Sequence, residues 1–300
     1  MLLAYAAACG VTPSYTPAAA LAGEPVGEDA EGALSLEVLL RCSRENKRRR
    51  GEAEGAYLER LTHASLDTRG LTSVSVLRAC PALRVVYLYE NRLRSLQSFP
   101  SCEALTHLYL QDNALQSLSG LPALPALEKL YVQGNRLTVL DGLHGCPRLA
   151  ELHAGGQKSG SGGLALDAQT CISLKDCLRR LSVAGCGLRE LAPLAHCRAL
   201  RHLDARDNAV EDMAHVAAML DGAEELESLD LRGNVVSRAA QYRDNILLMT
   251  AVLAELDGKR VTQQARAFVQ RFAAHKSKLR AHGTVQGRAP PPAQAPHFLQ

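Results

Sequence analysis

The residues with the best chance of doing chemistry lie between 155 and 177. Gly155-Gly156-Gln157-Lys158-Ser159 invites a phosphate-loop reading, in which backbone N–H groups and a lysine cradle a nucleotide. That motif needs Gly directly before the Lys, and Gln157 stands there, so no nucleotide site is expected. Cys171 and Cys177 follow as the nucleophiles an enzyme built around this Gly/Ser stretch would use. Cys80, Cys102, Cys146 and Cys197 suggest a metal set, but no C-x₂-C pair and no zinc-type Cys/His spacing occurs. His153, His202 and His215 share no common spacing, and no G-x-S-x-G, H-E-x-x-H or kinase signature appears. The expectation is a non-enzymatic chain without cofactor or metal.

The elements that position these residues explain most of them. Leucine fills 50 of 300 positions, a bias that points to a leucine-built repeat. Leu83, Val86, Leu88, Asn91 and Leu93 fit L-x-x-L-x-L-x-x-N-x-L. The pattern returns at Leu105, Leu108, Leu110, Asn113 and Leu115, and again at Leu127, Leu130, Val132, Asn135 and Leu137. Looser copies begin at Leu61, Leu149, Leu178, Leu200 and Leu226, with spacings of 22, 22, 22, 22, 29, 22 and 26. The four cysteines each precede the first Leu of a copy by three residues, so they are one reused position, expected to be buried.

The spacing predicts an α/β repeat solenoid, a leucine-rich-repeat horseshoe of about eight repeats with a parallel concave sheet. Positions 1, 4 and 6 of each copy point inward. The position-9 amide can bond backbone groups that the turn leaves unpaired, so Asn91, Asn113, Asn135, Asn208 and Asn234 read as a buried ladder. Gln157, Cys186 and Arg69 stand in that slot in the weaker copies. A second apolar series spaced by threes (Leu93, Leu96, Phe99; Leu115, Leu118, Leu121) suits 3₁₀-like convex turns.

The organisation follows from these limits. Residues 1–32 read as a disordered extension without a signal-peptide n-region, since the first basic residue is Arg41. Residues 33–60 are expected to form an N-terminal helical cap, with a solvated basic run at Arg44 to Arg50. Residues 61–234 carry the repeats, interrupted at 155–177 by an insertion expected to be a flexible loop. A C-terminal cap at 235–258 is expected to stop at Asp257-Gly258. Residues 259–300 form a basic helical tail with a disordered end. Charge follows this division: residues 51–257 carry 20 basic and 25 acidic residues, residues 258–300 eight basic and none acidic. No run is long and apolar enough to span a membrane, and a cytoplasmic monomer with free thiols is expected.

Positions 2, 3, 5, 7 and 8 face the concave side. Position 5 reads Tyr87, Tyr109, Tyr131 and His153 on successive strands, predicting an aromatic stripe. Tyr89, Glu90, Asp112, Glu128 and Glu151 surround it, and Arg179, Arg180, Arg201, Arg206 and Arg232 lie farther along. Exposed Tyr within a charged rim is the composition of a protein interface. The acids repel phosphate, so no nucleic acid is expected there.

The segments VVYLYENRL (85–93), LTHLYLQDNAL (105–115), LEKLYVQGNRL (127–137) and LAELHAGGQ (149–157) resemble the cytoplasmic leucine-rich-repeat proteins built on 22-residue repeats. The similarity extends through LDAQTCISLKDCLRRLSVAGCGL, LDLRGNVV, QYRDNILL and LAELDGKRV, where it comes nearest to regulatory subunits of protein phosphatase 1. That resemblance implies a regulator of the type-one phosphatase catalytic subunit at centrosome, basal body, cilium or microtubules, with tubulin as a second partner. Axonemal and splicing-type scaffolds share the same repeat. One departure stands out: the basic-Val-x-Phe docking motif of many phosphatase partners is only approximated by Arg84-Val85-Val86-Tyr87.

Overall fold

The computed structural model describes residues 32–43, 45–158 and 160–285. The expected extension before Gly32 and the terminal run from Ala289 to Gln300 lie outside the described residues. Each repeat contributes a three-residue strand at positions 3–5. They are β1 (His63–Ser65), β2 (Val85–Tyr87), β3 (His107–Tyr109), β4 (Lys129–Tyr131), then, after a convex strand β5 (Val139–Leu140), β6 (Glu151–His153). A second convex strand β7 (Ala165–Leu166) and helix α3 (Ala168–Ser173) precede β8 (Arg180–Ser182) and β9 (His202–Asp204). Helix α4 (Met213–Gly222) precedes β10 (Ser228–Asp230).

The strands from β1 to β10, β5 and β7 excepted, pair in parallel as one sheet, in register position for position. Register is fixed because a one-residue slip would carry every position-4 leucine to the concave face. Positions 1, 4 and 6 are buried along the whole solenoid, as in Leu105, Leu108 and Leu110. The four corner cysteines are buried too, and each carbonyl accepts from the N–H of its repeat's first leucine: Cys80 to Leu83, Cys102 to Leu105, Cys146 to Leu149 and Cys197 to Leu200.

Convex geometry scales with repeat length. The 22-residue copies cross back by tight turns, including 3₁₀ segments at Ser75–Ala79 and Ala192–His196. The 26-residue copy starting at Leu200 has room for α4. The 29-residue copy starting at Leu149 forms β7, which pairs with β5, and α3, whose Asp167 cap accepts from the Thr170 N–H at 2.7 Å. The insertion is therefore not a loop throughout, as expected from its Gly/Ser start; from Leu164 onward it is a convex layer, with Leu164, Cys171 and Leu174 in the core.

The N-terminal cap is made of α1 (Leu36–Arg41) and α2 (Glu54–Glu59). Ser35 caps α1, and Leu39, Tyr57 and Leu58 cover the first repeat. The cap also occupies the free edge of β1: the Ser65 N–H donates to the Cys42 carbonyl, and Asn46 Oδ1 accepts from the Thr62 N–H at 3.1 Å. An exposed edge would otherwise invite pairing with another chain.

The other end departs from the expected stop at Gly258. After helix α5 (Tyr242–Met249), strand β11 (Glu255–Leu256) adds to β10, and Asp257-Gly258 is a hairpin leading to β12 (Lys259–Arg260). Helix α6 (Gln263–Val285) then packs on α5. The Arg266 guanidinium donates to the carbonyls of Leu247, Thr250 and Leu253. It satisfies groups that the end of α5 leaves open. The first turns of the basic tail are thus part of the cap, with Val269 buried.

Candidate protein-binding face

The position-9 ladder is built as the sequence predicts. Asn113 Nδ2 donates to the carbonyls of Leu110 in its own repeat and Leu88 in the preceding one, at 3.1 and 2.8 Å, while its Oδ1 accepts from the Leu93 N–H at 3.0 Å. Asn91, Asn135, Asn208 and Asn234 repeat this pattern. Gln157 takes the same role, donating to Val132 and Ala154 and accepting from Leu137. The residue that spoils the phosphate-loop motif is a structural rung. Cys186 fills its slot with a thiol directed at the Ala154 carbonyl.

This ladder fixes the concave columns. Tyr87, Tyr109, Tyr131 and His153 stack with ring centroids 4.8, 4.7 and 4.7 Å apart, each pair within 19° of parallel. The spacing is that of the strands themselves. Faces are consumed ring on ring, so edges and polar tips are what the column offers a partner. The column is less open than its composition suggests. Tyr87, Tyr89 and Tyr109 are half-buried, but Tyr131 is 4% exposed and His153 3%. Tyr131 lies between Tyr109 and His153, as Tyr109 lies between Tyr87 and Tyr131, and His153 lies between Tyr131 and, in register on β8, Ser182. Tyr131 and His153, so little exposed, are framework rather than the exposed anchors that the alternation implies.

Burial sets the ionisation of these rings. It pushes the Tyr109 phenol up to about 12, aided by Tyr87 and the Glu151 charge. Burial lowers the basicity of His153 against the opposing pull of Glu151. Neither His153 ring nitrogen has a hydrogen-bond partner among the described residues.

Around the column, Glu90, Asp112 and Glu128 are exposed. Glu90 and Asp112 occupy position 8, where the backbone is left-handed (φ 56° and 51°). Their carboxylates stand at the tight turn, and Asp112 reaches Lys158 at 3.5 Å. Glu151 pairs with Lys129 at 3.2 Å.

Beyond β8 the surface changes. Arg206 binds both oxygens of Asp204, at 2.8 and 2.9 Å, and Arg232 does the same to Asp230, at 2.9 and 2.6 Å. Burial alone would raise the Asp204 carboxyl, but the Arg206 bonds hold it below its ordinary range. Arg201 is held by Glu225 at 2.9 Å. These arginines are thus neutralised in place, not a free basic patch. The signal was available: Asp204-x-Arg206 and Asp230-x-Arg232 repeat one pair, and i, i+2 residues share a strand face. The concave face has an acidic, tyrosine-rich half and a half where Arg201, Arg206 and Arg232 are ion-paired, while Arg179 and Arg180 are exposed and without an ion pair among the described residues.

Other chemistry finds no support in the interior. The described cysteines are unpaired, and burial pushes the thiols of Cys80 and Cys102 up to about 12 and 11. Buried thiols of this kind are inert. Cys177 is also raised by burial, whereas the buried Cys171 thiol is lowered by its hydrogen bond with Cys197. Among the described residues no cluster of three or more metal-ligating side chains occurs, and no helix is long and apolar enough to cross a membrane. In Arg84-Val85-Val86-Tyr87 the last three residues form β2 with Val86 fully buried, so the run is not presented as a docking peptide.

Comparison with known proteins agrees with this architecture. The leucine rich repeat family model matches residues 81–137. The U2 small nuclear ribonucleoprotein A' of Eremothecium gossypii is 35% identical over 69 residues, 23% of this chain and 29% of that protein. The leucine-rich repeat- and IQ domain-containing protein 1 of Mus musculus is 31% identical over 88 residues, 29% of this chain and 5% of that protein. The match thus spans less than a third of the length of either curated relative. Among solved structures, internalin C2 of Listeria monocytogenes has a TM-score of 0.54 at 21% identity, covering 66% of this chain and 84% of its own. Internalin InlF of the same organism has a TM-score of 0.54 at 17% identity, covering 74% and 66%. The chain carries leucine rich repeats and has the fold of a leucine-rich-repeat solenoid.

Proposed function

We propose that this protein is a non-enzymatic adaptor that holds a protein partner against the β1–β6 half of its concave face. The observation that carries this reading is the in-register column from Tyr87 to His153, whose half-buried tyrosines are bordered by the exposed carboxylates of Glu90, Asp112 and Glu128. Tyrosines locked by stacking lose little entropy on binding, and a rigid aromatic centre with a charged rim is what interfaces use. The resemblance to phosphatase regulatory subunits makes the type-one phosphatase catalytic subunit the first candidate and tubulin the second. It supports a cytoplasmic place of action at centrosome, basal body, cilium or microtubules.

A splicing-type scaffold is the second reading, favoured by the 69 residues shared with the U2 small nuclear ribonucleoprotein A'. Calorimetry of the full chain with the phosphatase catalytic subunit and with tubulin tests the first reading. Tyr87→Ala, at the open end of the column, and Glu128→Lys, on the rim, are each expected to cost about 2 kcal/mol of affinity. Wild-type affinity in both variants would remove the concave face from the interaction. No binding of either candidate would leave the splicing-type reading as the better one.

A further inference from the structure

The C-terminal corner of the solenoid carries an apolar surface that the concave-face reading leaves unused. Phe268 is 68% exposed and Phe272 54%, their rings 6.4 Å apart and 12° from parallel. Leu248, Met249 and Val252, all exposed, lie at the end of α5 where Arg266 fastens α6. The Phe pair on α6 and these three on α5 and its following loop thus lie on the two segments that Arg266 joins. Scattered exposed hydrophobics need no explanation, but a grouped set marks a contact surface. A terminal repeat ordinarily turns a polar face outward.

The corner is also held in place. Arg266 bonds carbonyls of α5 and its following loop, and Val269 is buried. At about 100° per residue, Phe268 and Phe272 share one face of α6, and exposed Arg271 and Lys276 flank it on either side. No acidic residue occurs from Lys259 to the last residue, against eight basic ones.

We propose that this corner is a second docking surface, for a protein segment that is acidic and amphipathic: apolar side chains to cover Phe268 and Phe272, and carboxylates to meet Arg271 and Lys276. Charge selects this occupant. A second copy meeting the patch with its own would bring two basic tails together. A helix lying on a bilayer sets its Lys and Arg on the face opposite the apolar one; here that face is packed on α5, with Arg266 engaged there. Phe, Met and Arg are the side chains enriched in protein interfaces.

The test uses the full chain and a synthetic 18-residue helical peptide with leucines at i, i+3, i+4 and i+7 spacing and glutamates beside them. Controls are the same peptide with Glu→Lys, the same with Leu→Ser, and vesicles of phosphatidylcholine with and without phosphatidylserine. The expected result is binding of the acidic amphipathic peptide alone. Affinity falls at least tenfold in Phe268→Ser/Phe272→Ser and in Arg271→Glu/Lys276→Glu, with the wild-type unfolding midpoint kept in both. Equal binding of the Leu→Ser peptide, or undiminished affinity in the double Phe variant, would overturn the proposal. So would failure of the acidic peptide to bind, capture by phosphatidylserine vesicles in its place, or self-association abolished by the Phe pair variant.

Discussion

The imidazole of His153 lies 4.7 Å from the ring of Tyr131 and 5° from parallel with it, so the two act as consecutive members of one aromatic column. A histidine in a tyrosine's place carries a titration into a buried site. That single exchange places a titratable ring, held below its ordinary pKa by burial, in the concave column.

Burial lowers the His153 pKa from its ordinary value of 6.5, and the charged groups around it are Glu151, Arg180, Lys129 and Asp204. The folded-state value lies below the unfolded one, so the unfolded chain takes up the proton first. The contribution is fully present above about pH 6.5 and is lost as pH falls from there toward the folded-state value. His107 and His202, also lowered by burial, act in the same direction. Unfolding midpoints between pH 8 and 5 are expected to fall less steeply in His153→Tyr, which continues the column without the titration. An identical slope in the variant would show that His153 is protonated without cost.

Tyr131 tests whether the column is framework. Its ring is enclosed by Tyr109 and His153 and is almost without exposure. Tyr131→Ala is expected to destabilise by about 3–5 kcal/mol, as for other buried large aromatics. Tyr87→Ala, with one ring neighbour and a half-exposed ring, is expected to cost less. Denaturant midpoints measure both; a tolerated Tyr131→Ala would return that ring to the exposed interface.

The leucine frame, the ladder and the column register are legible in the sequence because each rests on a period, and a strand's period fixes which way a side chain points. How far a side chain is covered is another matter. Alternation puts Tyr87, Tyr109 and Tyr131 on the same face, yet Tyr109, stacked on both sides, is half-buried while Tyr131, stacked alike, is 4% exposed. Arg206 and Arg232 look like free cations until Asp204 and Asp230 are placed two residues earlier on the same strand face. The docking of the tail escapes the reading because its net charge contrasts with the body. One arginine meeting three carbonyls outweighs that contrast locally.

Asn113→Ala probes the ladder. The substitution strips partners from the carbonyls of Leu88 and Leu110 and from the Leu93 N–H inside the solenoid. Buried polar groups left unpaired are expected to lower stability by about 1–3 kcal/mol. Gln157→Ala is expected to behave alike, since its amide bonds the Val132 and Ala154 carbonyls in the same way. An unchanged midpoint for Gln157→Ala alone would mark the insertion repeat as independently held.

The last prediction concerns where the fold ends. A chain stopped at Gly258 loses β12, which pairs with β11, and the Arg266 bonds to the end of α5. It also uncovers the surface that Val269 buries. Unlike removal of a solvated tail, this truncation is expected to lower the thermal midpoint by several degrees and to expose the α5 region to proteolysis first. Arg266→Ala in the full chain isolates the polar part of the effect: three carbonyls lose one guanidinium, at a cost of about 1–3 kcal/mol. Truncation after Lys276 keeps β12, Arg266 and Val269 and is expected to leave the midpoint near that of the full chain. If the chain stopped at Gly258 melts like the full chain, the cap ends at the hairpin and α6 only rests on it.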